Sequence, residues 1–281
     1  MFAITKKIII LSDNRTVNQE LETEHGLCVY LETENYKCLL DTGASDVFIR
    51  NAAKLNVDLT EVDYVFISHG HADHIGGLPA FLEVNSKAKI VVSPNALNQK
   101  FFSKRLGLHQ ISIELDLEKI KERLILVEKD TCIESDIHVY KNESAKFQIP
   151  VGNRTLFRDN GNGLEGDLFD HELIITFGKE SLFVFTGCGH NGLLNILETV
   201  KSKTMHPIRH VMGGFHLLDA KNGHVYETEN EIHYLAKTLN EYYPQTEFIT
   251  GHCTGENTFD LMTKTLEFRL IHFFTGFKLE F

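Results

Sequence analysis

Apolar residues along this chain fall in short β-type runs separated by segments of helical spacing, and the rhythm persists to the C-terminus. Ile8–Leu11 reads as a short buried strand. Leu27–Glu32 and Tyr36–Leu40 read as a hairpin around Thr33-Glu-Asn35. From Asp46 to Leu55 the apolar positions Val47, Ile49, Ala53 and Leu55 predict a helix, with Ser45 or Asp46 as its N-cap. Val62–Ser68 is a β-branched and aromatic strand that runs into a histidine cluster. Beyond the cluster, Gly76–Val84 is predicted helical, Ile90–Val92 a strand and Asn95–Leu106 a further helix.

The second half repeats the pattern. Glu172–Phe177 and Ser181–Phe185 read as a hairpin about Gly178-Lys179, followed by a helix from Leu193 to about Lys203. A strand is predicted around Ile208–Met212, a helix over Glu229–Tyr242, a strand over Glu247–Thr250 and a last helix over Asn257–Glu267. Two β-then-α halves imply an α/β protein whose sheets pack face to face with helices outside. The stretch from about 140 to 167 is polar and irregular, the character of a lid or insertion. With no repeat and no Pro- or Ser-rich linker, residues 1–281 are expected to form a single domain carrying that insertion.

Composition narrows the function classes. The 281 residues are 42% hydrophobic and 24% charged, an ordinary globular balance. A formal net charge of -11 argues against a nucleic-acid groove, which needs a basic surface for phosphates. Five cysteines, an odd number without a Cys-x-x-Cys pair, indicate neither a disulfide framework nor a zinc knuckle. The apolar run in Met1–Asp13 is too short for a signal peptide, and no stretch approaches the roughly 18 apolar residues of a membrane span. The cytoplasm is the expected compartment and the membrane is not an expected partner.

The segment Ser68-His-Gly-His-Ala-Asp-His-Ile-Gly-Gly77 carries the chemistry. Three imidazoles and a carboxylate directly after a strand suit zinc, with iron or manganese as alternatives. In a sharp loop His69 and His71 can face one metal while Asp73 and His74 face a second; Gly70, Gly76 and Gly77 permit the backbone this requires. Further donors stand at other strand ends: Cys188 and His190 after one, His216 after the next, His252 after the last. His252 and Cys188 are candidate ligands. His190 and His216 could bind metal, contact substrate or donate a proton. Asp41, in Leu39-Leu-Asp-Thr-Gly43, can fix the tautomer of a ligand histidine. Asp-Thr-Gly is also the aspartic-protease signature, but one copy cannot supply that enzyme's two carboxylates.

The pattern His-x-His-x-Asp-His-x-Gly-Gly resembles the metallo-β-lactamase superfamily; Asp41, Phe185-Thr-Gly-Cys188 and Gly251-His252 match its first, fourth and fifth motifs in order. The resemblance implies a four-layer αββα sandwich with a dinuclear site at one sheet edge. Thr186-Gly-Cys-Gly-His190, Gly213-Gly-Phe-His-Leu217 and Thr250-Gly-His-Cys-Thr-Gly255 look like the subfamily labelled 7,8-dihydropterin-6-methyl-4-(β-D-ribofuranosyl)aminobenzene-5′-phosphate synthase, which implies a phosphorylated, pterin-like substrate. Two departures stand out. Cys188 occupies the place of a metal-bridging aspartate, and the third-motif histidine has no clean counterpart, leaving Asp170, His171 and His190 as candidates.

These readings define the expectation. Two divalent ions, zinc before iron or manganese, are held by His69, His71, Asp73, His74, Cys188 and His252. A metal-bound hydroxide oriented by Asp73 hydrolyses a phosphate or related ester of a small molecule, with His190 or His216 serving the leaving group. The alternatives are a synthase or lyase acting on a phosphorylated pterin, or a metal-binding protein without turnover.

Overall fold

The structure, a computed structural model, describes residues 7–220 and 223–281. The start of the N-terminal apolar run, residues 1–6, lies outside them. The chain divides into two compact units, one of Met1–Phe101, Gln110–Glu128 and Phe273–Phe281, the other of Phe102–His109 and Lys129–His272.

In the first unit a seven-stranded sheet runs in the order Lys278–Glu280, Lys7–Ser12, Cys28–Glu32, Lys37–Leu40, Tyr64–Phe66, Lys89–Val92, Leu124–Leu126. Pairing is antiparallel up to Lys37–Leu40 and parallel beyond it. Ile9, Leu11, Tyr30, Leu39, Ile90 and Val92 pack with Phe48 and Ala52 of the helix Val47–Lys54 and with Leu78 and Phe81 of the helix Leu78–Val84. Burying each of those phenylalanines stabilises the unit by about 2–3 kcal/mol. The alternate strand residues Ile8, Ile10, Val29, Leu31, Leu40 and Val91 are also buried. Strands apolar on both faces read as continuous runs, which is why length rather than alternation marked them in the sequence.

The second unit has its own seven-stranded sheet, ordered Leu270–His272, Glu247–Thr250, Ile208–Gly213, Leu182–Phe185, Leu173–Phe177, Ile137–Lys141, Thr131–Glu134. Its four strands from Leu182–Phe185 to Leu270–His272 are parallel. The helices Leu193–Lys203, Glu229–Tyr242 and Glu256–Leu266 lay Ile196, Leu197, Ile232, Leu239 and Met262 against Val184, Val211 and Phe248. Thr228 and Glu231 form a reciprocal capping box that starts the second of these helices.

Three expectations need correction. Asn95–Leu106 is not a helix but a single turn, Pro94–Ala96, followed by the strand Phe101–Ser103. Asn98 interrupts it at φ 55°, its side chain bonded to the Leu115 amide (2.9 Å) and carbonyl (3.3 Å). The helix expected over Gly76–Val84 starts at Leu78, and a separate turn, Ala72–Ile75, carries part of the histidine motif. The stretch 140–167 is more ordered than its composition predicts, with a helical turn at Val151–Thr155 and a hairpin of Leu156–Asp159 with Leu164–Gly166.

Candidate metal centre

Parallel pairing aligns strand ends, and each sheet gathers its polar chemistry at the carboxyl ends of parallel strands, where open α/β sheets bind ligands. In the first unit Leu40 pairs with Phe66, so Asp41 emerges beside Ser68. Asp41 is fully buried and accepts three hydrogen bonds at 2.7 Å: from Ser68 N, from Ser68 Oγ and from His74 Nδ1. A carboxylate only accepts, so His74 Nδ1 carries a proton and donates it to Asp41. Ser68 Oγ spends its proton on Asp41 and lies 2.9 Å from His69 Nδ1, which must therefore donate to it.

The sharp turn brings the three imidazoles together. The His69 ring centroid lies 4.0 Å from that of His74 and 4.7 Å from that of His71. Asp73, at the first turn of Ala72–Ile75, places Oδ2 3.7 Å from His74 Nε2 and 3.3 Å from Nε2 of the exposed His25. Thr42 N and Oγ1 both donate to the His74 carbonyl, at 2.7 and 3.0 Å. Gly77 passes so close to this loop that a Cβ on it would stand 2.0 Å from the Thr42 carbonyl oxygen.

The second unit assembles its donors in the same way. Phe185 pairs with Met212 and Gly213 with Thr250, so the loops after these strands leave one edge. Donor atoms of Cys188, His190 and His216 lie within 4.8 Å of one another, as do those of Cys188, His252 and Cys253. Cys188 is common to both groups, and all five side chains are buried. His190 is held from two sides: Asn153 Oδ1 lies 3.0 Å from its Nδ1 while Asn153 Nδ2 donates to its carbonyl at 2.8 Å, and Glu172 Oε1 accepts its backbone N–H at 2.7 Å. Phe169 stacks on its ring at 4.5 Å.

Cys253 was not singled out from the sequence, although it follows His252 directly in Gly251-His-Cys-Thr-Gly255. Its Sγ stands 3.3 Å from Cys188 Sγ and accepts the His216 backbone N–H at 3.3 Å. Burial raises its pKa, but the hydrogen bonds with Cys188 and His216 and the imidazoles of His252 and His216 outweigh that and hold the thiol well below its ordinary value. A Cβ on Gly214 would come within 2.3 Å of this sulfur, so only glycine lets the thiol in. Asn153 and Glu172 were also missed; polar residues in loops remote in sequence carry no motif that ties them to a histidine.

Asp41, His216 and His252 adopt left-handed backbone conformations, with φ of 60°, 50° and 52°. Such geometry costs of order 1–3 kcal/mol per residue and persists where surrounding structure enforces it, typically at functional sites. Of the third-motif candidates, Asp170 is in an ion pair with Arg158 (3.3 Å), and the buried His171 places Nε2 3.2 Å from both carboxylate oxygens of Asp167.

Each unit by itself thus groups buried imidazoles, beside a carboxylate in the first and beside paired thiols in the second, and these are donor types that suit a divalent transition metal. The sequence matches the metallo-beta-lactamase superfamily over residues 21–177, more than half of the chain. The chain belongs to the metallo-β-lactamase superfamily. A solved structure of a metal-dependent hydrolase of the β-lactamase superfamily is 30% identical, with a TM-score of 0.79, covering 98% of this chain and 99% of its own. The metallo-β-lactamase fold therefore extends through both units, and membership implies divalent-metal binding. An uncharacterized protein of Methanocaldococcus jannaschii is 28% identical over 92% of this chain and 93% of its own. A second protein of that organism, named 7,8-dihydropterin-6-methyl-4-(beta-D-ribofuranosyl)-aminobenzene-5'-phosphate synthase, is 25% identical over 89% of this chain and 88% of its own. Among the described residues no helix is long and apolar enough to cross a membrane.

Proposed function

We propose that this superfamily member is a metal-dependent hydrolase of a phosphate or related ester of a small molecule, working with two divalent ions, zinc before iron or manganese. The proposed ligands are His69, His71, Asp73, His74, Cys188 and His252, with Cys253 a further sulfur donor. One observation carries the reading: Asp41 and Ser68 accept the Nδ1 hydrogens of His74 and His69. A metal-ligating histidine donates its other ring N–H to just such a partner, which fixes its tautomer and orients its ring. Thiol donors favour zinc over harder ions. When bound, such ions make hydroxide available from water near neutral pH and offset negative charge on the attacked group. The protein's own residues do the rest. Asp73, partly exposed at the start of a turn, orients the attacking water. His190, fixed by Asn153 and Glu172, and His216 lie with rings 4.2 Å apart and contact the leaving group or protonate its oxygen.

A second reading, a synthase or lyase acting on a phosphorylated pterin, is favoured by the name of the relative 25% identical over most of the chain. A panel of phosphomonoesters, phosphodiesters, thioesters and lactones separates the two. Metal-dependent turnover that EDTA abolishes, and that Asp73→Asn lowers by about 10²-fold or more, supports hydrolysis. A fully metallated protein that turns over no ester, yet quenches pterin fluorescence on binding, supports the second reading and ends the first.

A further inference from the structure

The His25 side chain is 63% exposed, yet the backbone on either side of it is pinned. Before it, the Glu24 carboxylate takes hydrogen bonds from Ala44 N at 3.0 Å and Ser45 Oγ at 2.5 Å, and Glu24 N donates to the Asp13 carbonyl at 3.3 Å. After it, the Gly26 carbonyl accepts from Ser12 Oγ at 3.0 Å, and a Cβ on Gly26 would stand 2.5 Å from Ala44 N. Leu27 N then donates to the Asp73 carbonyl at 3.0 Å. The segment that carries His25 is thus bonded directly to the turn that carries Asp73.

The ring is oriented as well. Asn14 Oδ1, which can only accept, lies 3.3 Å from His25 Nδ1, so Nδ1 donates and Nε2 is the nitrogen turned to Asp73. That Nε2 lies 3.3 Å from Asp73 Oδ2, and the same oxygen lies 3.7 Å from His74 Nε2. A charge-assisted N–H···O bond is shorter, about 2.7–2.9 Å. Donors held about 2.0–2.1 Å from a tetrahedral ion stand roughly 3.3 Å from one another. Asp73 Oδ2 therefore has an imidazole nitrogen on each side at close to the spacing of neighbouring ligands.

We propose that His25 is a metal ligand, joining Asp73 and His74 in a three-donor set contained within the first unit. Two imidazoles and a carboxylate are a set that leaves a fourth position for water on a catalytic ion. His25 is the most exposed of the three, so it stands on the solvent side of that set. The inference rests on the reading of Asp73 and His74 as ligands. Its rival is a hydrogen bond from a protonated Nε2 that only steadies the Asp73 carboxylate.

Two substitutions separate these roles. His25→Glu keeps a donor atom for a metal but has no N–H to give, whereas His25→Gln keeps an N–H and gives up the imidazole. Zinc affinity is measured on the whole chain, stripped of metal and titrated against a chromophoric chelator, with circular dichroism to verify that each variant is folded. His25→Ala should weaken zinc binding about 10–100-fold or more, since loss of a partner behind a ligand already costs that much. His25→Gln should stay near the alanine variant, and His25→Glu should recover about tenfold. With spin-active cadmium as the probe ion, the His25 imidazole nitrogen of the wild type should show scalar coupling to the metal. Recovery by His25→Gln but not by His25→Glu, equal zinc affinity in all four proteins, or a His25 nitrogen without coupling overturns the proposal and leaves the hydrolase reading standing. Wild-type protein that takes up no zinc overturns both.

Discussion

Asp41 shows how much chemistry one side chain organises: its two oxygens receive the Ser68 amide, the Ser68 hydroxyl and His74 Nδ1, and it does so from a left-handed backbone. Asp41→Asn keeps the shape but offers an N–H where two donors already point, so His74 loses its fixed tautomer. Metal affinity, measured by competition with a chromophoric chelator, should fall about 10–100-fold. Unchanged affinity would remove Asp41 from the site. Gly77 makes the complementary case for packing. A methyl there meets backbone oxygens of Thr42 and Ser45 at 2.0 and 2.5 Å, atoms that cannot rotate away. Gly77→Ala should cost about 2 kcal/mol or more in denaturant unfolding. Gly166→Ala, with nothing within 4 Å of its Cβ, serves as the near-neutral control. The histidine motif and Asp41 were legible because they sit in one contiguous, glycine-punctuated stretch after a strand. Cys253, Asn153 and Glu172 were not, because their roles arise only when separate loops meet.

At the scale of elements, sequence pattern succeeded where amphipathic spacing is long. Leu193–Lys203 and Glu229–Tyr242 match the predicted spans, and Glu256–Leu266 differs by one residue at each end. It failed at Asn95–Leu106, where Asn98 bonds Leu115 and takes a left-handed turn, a tertiary preference that periodicity does not register. The helix Val47–Lys54 is tied to the segment before the first hairpin by Glu22, whose carboxylate is drawn down to about 2 from 4.5 by hydrogen bonds from Arg50 and Lys54, with burial opposing them. A carboxylate with a depressed folded-state pKa stabilises above its unfolded pKa and loses that contribution as pH falls through the folded one. The Tm advantage of wild type over Glu22→Gln should therefore be full above about pH 5 and shrink towards pH 2. It should also shrink in high salt, because the pair is exposed. A difference that grows on acidification would contradict this assignment.

On the scale of the whole molecule, each unit repeats one construction: parallel strands end in line, and the loops after them carry imidazoles, thiols or carboxylates. The two-fold β-then-α rhythm of the sequence announced this architecture. Strand order did not follow from it, since Lys278–Glu280 pairs with Lys7–Ser12 across almost the entire chain length. The central claim is that this architecture exists to hold divalent transition metal. Elemental analysis of protein purified without chelator tests it most directly. The account predicts about two equivalents of zinc, iron or manganese per chain, with metal lost from His69→Ala and from Cys188→Ala variants that retain the wild-type circular dichroism. Wild-type protein that is folded yet carries no transition metal, and takes up none on dialysis against zinc, would contradict it.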